Sequence, residues 1–149
     1  MPASEVAALA IREYKKAHKC ELGGRLRRCR RTLTGQCQYC ARGFCDKHGD
    51  HFGEREEVCQ SAPCQTKKAD LLAYQQFKLD ATARNDTNRC GIDPCETRPQ
   101  TFCERCSAHY CAEHLKQHVV EVVRGFERAP EMLRLCTYCI ARISVWEQE

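Results

Sequence analysis

The sequence predicts a small α+β fold dominated by metal, in which two duplicated zinc modules are flanked and linked by α-helices. Three observations predict it. Fourteen of the 149 residues are Cys, and such a load in a short chain means disulfides or metal sites. The Cys and His residues fall into two series of the same order. Aromatic residues make up only 7% of the chain and charged residues 30%. A core of side chains alone would therefore be thin in each half, and small domains of that kind need staples.

The first series is Cys20, Cys29, Cys37, Cys40, Cys45, His48, Cys59 and Cys64. The second is Cys90, Cys95, Cys103, Cys106, Cys111, His114, Cys136 and Cys139. At the centre of each stands C-x2-C-x4-C-x2-H with an aromatic residue before the third Cys: "CQYCARGFCDKH" from 37 to 48 and "CERCSAHYCAEH" from 103 to 114. Cys29 and Cys95 both precede their motif by eight positions, whereas the outer spacings differ. The gap after the His is ten residues in the first half and twenty-one in the second. This reads as a duplication with drifted loops. Eight ligands per half make two tetrahedral sites, so four Zn2+ use every Cys. Thiolate and imidazole suit a borderline-soft ion.

Two connectivities satisfy the count. Interleaved pairing makes the sets Cys20, Cys29, Cys45, His48 and Cys37, Cys40, Cys59, Cys64, then Cys90, Cys95, Cys111, His114 and Cys103, Cys106, Cys136, Cys139. Sequential pairing would make the central motif one compact knuckle and leave the outer Cys to a second site. Interleaving closes more chain per ion and is favoured. His51 lies three residues beyond His48 and could replace it as ligand, but the repeat favours His48.

The central motif, with a flanking ligand pair on each side, resembles the interleaved zinc fingers of the FYVE, RING and B-box kind. The FYVE group is most similar in inner spacing and in a last ligand pair that leads into a helix, here "CTYCIARISVWEQE". The resemblance implies treble-clef/cross-brace-like modules. It does not carry phosphoinositide binding, because the basic, His-rich stretch before the central ligands is replaced by "TLTGQC" and "ETRPQTFC". No residue carries a ligase activity of the RING kind.

The elements then follow in order. Residues 1–19 read as a helix: Ser4 suits an N-cap, and Val6, Ala10, Tyr14 and Ala17 fall at helical spacing for packing on the first module. Residues 20–64 form that module. Residues 65–89 contain a linking helix, with Pro63 near its start and Ala69, Leu72, Ala73, Phe77 and Ala81 on one face. Residues 90–149 form the second module. Within it, "LKQHVVEVVRGF" (115–126) is expected as a helix from His114 to near Gly125, although "VVEVV" also suits a strand. "ERAP" is then the turn that closes at Pro130. A last helix, 137–147, should bury Ile140, Ile143 and Trp146. His18, His109 and His118 are expected at the surface.

The segment "MPASEVAALAIREYKKAHK" has Glu5, Arg12 and Glu13 among its apolar residues and so no continuous signal-peptide core. No run approaches the roughly eighteen apolar residues of a membrane span. An intracellular, cytoplasmic protein with free thiols is expected; a disulfide scaffold is the alternative if a leader was removed.

For function, filled thiolate-rich sites leave no position for water or substrate, and no H-E-x-x-H, P-loop or deaminase signature occurs, so no enzyme is expected. A protein-interaction adaptor with a protein partner is the first expectation. The second is nucleic-acid binding. The net charge of +4 is uneven, +5 over residues 1–70 and −1 over 71–149, with Arg25, Arg27, Arg28, Arg30 and Arg31 in "RLRRCRR". Such a cluster matches phosphate. The same arginines could instead balance the charge of the thiolate sites. An anionic membrane surface is the third expectation.

Overall fold

The computed structural model describes residues 3–24, 27–52 and 56–147. The chain divides into two compact units, Met1–Ala69 and Asp70–Glu149.

In the first unit, α1 (Ala3–Ala17) precedes three small antiparallel ribbons. They pair β1 (Gly23–Gly24) with β2 (Arg27–Arg28), β3 (Gly35–Gln36) with β4 (Gly43–Phe44), and β5 (Gly49–Phe52) with β6 (Glu56–Cys59). The helix α2 (Ala62–Asp86) follows; it begins in the first unit and runs into the second. The second unit repeats the plan. There β7 (Thr101–Phe102) pairs with β8 (His109–Tyr110), β9 (Leu115–Arg124) with β10 (Glu127–Cys136), and α3 (Thr137–Trp146) follows.

The repeat extends to register. Gly35 faces Phe44 and Thr101 faces Tyr110. The hairpin after each ligand His closes on the first Cys of the last pair, Gly49 opposite Cys59 and Leu115 opposite Cys136. Its strands are four residues long in the first unit and ten in the second, which accounts for the longer gap after His114.

This corrects the expectation of a helix over 115–126. Val119, Val120, Val122 and Val123 are β-branched and stiff at χ1, which suits a pleated strand. Gly125 has φ +65° at the first place of a two-residue loop, where a hairpin turn needs a positive φ. "ERAP" lies in β10 instead of forming the turn, with Pro130 opposite Glu121.

The first unit's core is mostly sulfur. Its buried apolar residues other than Cys are Leu22, Phe44 and Val58 among the described residues. Phe44 is wholly buried, and Gly49 makes room for it: a Cβ there would lie 2.2 Å from the ring. The second unit buries Tyr110, Leu115, Val120, Leu135 and Ala81, with Tyr74, Phe77 and Tyr138 packed against them. The rings of Phe77 and Tyr138 stack 3.8 Å apart.

The helices differ in which face they bury. In α1, Val6, Leu9, Ile11 and Tyr14 remain exposed, so the expected packing face is largely open. In α2, Leu72 is exposed, and the inward line runs through Asp70, Tyr74, Phe77, Ala81 and Arg84. Of the line expected through Ala69, Leu72, Ala73, Phe77 and Ala81, the last two face inward, whereas Ala69, Leu72 and Ala73 are exposed and Asp70 and Tyr74 take the inward places. Arg142 is buried in α3, while Trp146 remains 37% exposed. Arg142 makes three hydrogen bonds of 2.7–3.0 Å to Asp70, and its guanidinium lies 3.6 Å over the Tyr74 ring. Trp146 Nε1 donates to the same carboxylate at 2.6 Å.

Candidate metal centres

Four groups of four side chains could each hold a metal ion, and all fourteen Cys are free thiols. The outer centres are Cys20, Cys29, Cys45, His48 and Cys90, Cys95, Cys111, His114. The inner centres are Cys37, Cys40, Cys59, Cys64 and Cys103, Cys106, Cys136, Cys139. These are the interleaved sets; the sequential alternative is not what the fold assembles.

Local structure explains how each set converges. The C-x2-C of each inner centre is a tight turn in which Ala41 and Ser107 donate back to the carbonyls of Cys37 and Cys103, both at 2.8 Å. The residue after the second Cys adopts positive φ, 59° at Ala41 and 64° at Ser107, a conformation uncommon outside glycine and short polar residues. The C-x2-H of each outer centre is a second turn, with His48 N–H bonded to the Cys45 carbonyl and His114 N–H to that of Cys111. Between these turns in sequence lies one residue of a two-residue ribbon, Phe44 or Tyr110, which is wholly buried. The last pair spans a strand end and a helix start. Cys136 is the N-cap of α3, and its sulfur accepts the Cys139 N–H at 3.4 Å.

The separations fit a bound ion. Sulfurs about 2.3 Å from a tetrahedral zinc stand about 3.8 Å apart, and a sulfur and an imidazole nitrogen about 3.6 Å apart. Cys29 and Cys45 sulfurs are 3.8 Å apart, Cys40 and Cys59 3.7 Å, and Cys95 and Cys111 3.9 Å. His48 Nδ1 lies 3.5 Å from both Cys20 and Cys45. His114 Nδ1 lies 3.4 Å from Cys90 and 3.3 Å from Cys111. A disulfide needs sulfurs about 2 Å apart, so these are donor sets and not bridges. Both imidazoles offer Nδ1. His51 instead pairs with Glu57 at 3.3 Å, outside the groups.

Electrostatics point the same way. Four thiols within 4.8 Å of one another cannot all ionise without a cation among them. Burial raises the Cys37 thiol, but the backbone amides of Cys59, Tyr39 and Cys40 more than offset it and hold the group at about 7. Burial pushes Cys64 up to about 12. In the second inner centre, Cys103 is pulled down by its neighbouring thiols while Cys136 and Cys139 are driven up by theirs. Further donors reach the sulfurs. Cys136 N–H donates to Cys103 at 3.3 Å and Cys111 N–H to Cys90 at 3.4 Å. The Tyr110 hydroxyl lies 3.1 Å from Cys106, a contact that Phe44 cannot make in the first unit.

The arginine cluster is only partly available. Arg25 lies outside the described residues. Arg27 and Arg28 form β2 and are exposed, as is Arg30. Arg31 grips both oxygens of Asp46 at 3.0 and 3.1 Å, and that bond holds the Asp46 carboxyl below its usual range. Arg28 and Arg30 join Lys19 and Arg42 around a cleft of about 630 Å³ beside Cys20 and Cys29. Lys19 stands six residues before Arg25 and is near the cluster in sequence, whereas Arg42 lies eleven residues beyond Arg31 and joins it only through the fold. His18 and His109 are exposed and His118 half-buried.

Among the described residues no helix is long and apolar enough to cross a membrane. Comparison with protein-family models, with curated proteins and with solved structures gave no match, so the chemistry of these centres rests on their own geometry.

Proposed function

We propose that this chain is a non-enzymatic, four-zinc interaction adaptor whose cross-brace modules hold partner-binding surfaces in place. Each ion would take four protein ligands, which leaves no coordination position for water or substrate and makes the centres structural. Zinc supplies folding free energy in such sites, since the ligands converge only in the folded chain.

The observation that carries the adaptor reading is the β9–β10 hairpin. Its base is anchored by Leu115 and Leu135, both buried, and by Cys136. Its distal half turns Val119, Val123, Met132 and the fully exposed Phe126 to solvent. Val119, Val123 and Met132 share one face of the ribbon by register, and contiguous exposed apolar side chains mark an interaction surface. The test is affinity capture with the zinc-loaded full chain, comparing wild type with the Val119→Ser/Phe126→Ser/Met132→Ser variant. A protein captured in a salt-resistant way by wild type and lost with the variant supports the adaptor. Capture that is indifferent to these three residues sinks it.

The cleft between Lys19, Arg28, Arg30 and Arg42 favours a second reading, polyanion binding. It predicts retention on RNA or heparin that falls steeply with salt and is abolished by Arg27→Ala/Arg28→Ala/Arg30→Ala. Cytoplasmic placement remains part of the proposal, since it keeps the thiols reduced for metal.

A further inference from the structure

We infer that the outer edge of β9 is a strand-addition site for an extended peptide with the pattern apolar-x-basic-x-apolar. The inference rests on the adaptor reading and names the partner's chemistry.

The argument begins with the two edges of the hairpin. In an antiparallel ladder, residues alternate between those bonded to the partner strand and those whose backbone groups turn outward. Arg134 turns outward: its carbonyl accepts from Glu104 N–H at 2.9 Å, and its own N–H donates to the Glu104 carboxylate. Alternation then turns Met132, Pro130 and Arg128 outward on β10. Across the register, Gln117, Val119, Glu121 and Val123 turn outward on β9.

The β10 edge is closed to further strands. Glu104 occupies it at Arg134, and Pro130 has no N–H to offer there, a common way to block an edge. The β9 edge carries no such device. Among the described residues, no strand pairs with it and no backbone hydrogen bond joins Gln117, Val119, Glu121 or Val123 to anything outside the ladder. All four are exposed. One edge is thus blocked at two points, while the other is a β-branched run with free donors and acceptors.

Side chains define the occupant. Val119, Glu121 and Val123 share one face, so an added strand sets alternate residues against them. Valines favour apolar neighbours, and the carboxylate between them favours Lys or Arg. A second copy of β9 is a poor occupant. The antiparallel registers that use the whole edge put Glu121 opposite Glu121, Val119 or Val123 of the copy, which is like-charge repulsion or a charge against an apolar side chain. A basic peptide from another protein satisfies all three positions.

The experiment uses the zinc-loaded full chain and a synthetic N-acetylated heptapeptide with the core Val-Thr-Lys-Thr-Val, read by amide NMR shifts and a titration. Shifts should concentrate on the amides of Gln117, Val119, Glu121 and Val123. Exchanging the peptide's Lys for Glu should weaken binding at least tenfold, and Glu121→Lys should reverse that preference. Glu121→Pro removes the outward N–H opposite Pro130 without removing a β9–β10 bond. It should abolish peptide binding while zinc content and circular dichroism stay at wild-type values. Binding equal for both peptides, or shifts elsewhere than β9, would overturn the inference. If the Val119→Ser/Phe126→Ser/Met132→Ser variant loses its protein partner while Glu121→Pro retains it, the adaptor reading stands and the strand-addition site falls. Self-association of the chain through β9 would also overturn it.

Discussion

Asp70→Asn should be among the most damaging substitutions outside the metal ligands. Asp70 and Arg142 have side chains only 12% and 9% exposed. The guanidinium makes three hydrogen bonds to the carboxylate, which also accepts from Trp146. The substitution keeps the shape but removes the charge, so Arg142 stays buried over Tyr74 without its counter-ion. Breaking one side of a buried pair costs about 3–5 kcal/mol. Each kcal/mol shifts the melting temperature of a unit this small by about 4–8 °C, so a drop of roughly 12–40 °C is expected in the second unit's transition. Replacing both partners, as Asp70→Leu with Arg142→Met, should recover most of the loss, because the cost lies in the unpaired charge. The assay is a thermal melt of the zinc-loaded chain, with metal content measured beside it. A single variant melting within about 2 °C of wild type would refute the reasoning. So would a double variant worse than the single one. The pair also has a pH signature. Burial alone would raise the Asp70 carboxyl, but Arg142 and Trp146 hold it below its ordinary range. A depressed folded value means that this stabilisation is fully present above the ordinary carboxylate range and is lost as pH falls through the depressed one.

The metal makes other predictions. Elemental analysis should find four zinc ions per chain, and thorough chelation should erase the native circular dichroism, since few side chains other than Cys form the first unit's core. His48→Ala should reduce the count to three, whereas His51→Ala should leave four; the reverse result would reassign the ligand. Tyr110→Phe should keep all four ions and cost about 1 kcal/mol by removing the hydroxyl contact to Cys106, measured by denaturant melts. Gly49→Ala should destabilise the first unit by roughly 1–3 kcal/mol, because the new methyl would sit inside the Phe44 ring. A neutral result at that position would mean that the ring is free to move.

The ligand sets were legible in the sequence because thiolate chemistry needs particular residues at short, repeated spacings. A series of seven Cys and one His, occurring twice in the same order with the same central spacing, leaves few ways to divide eight donors between two ions. The helices were legible in outline for a similar local reason: Pro63 and the ligand pairs mark where two of them begin. Tertiary structure decided the rest. Spacing left two connectivities open and favoured the interleaved one; the fold brings those four groups together. Residues 115–126 satisfy helical and strand periodicity alike, and only pairing with 127–136 selects the strand. On α2, Asp70 lies on the inward face, where it meets Arg142, seventy-two residues away. The cleft that brings Arg42 to Lys19, Arg28 and Arg30 likewise forms only when the chain folds. Metal spacing is a property of neighbours along the chain, whereas ion pairs, strand edges and clefts are made by residues that meet only after folding.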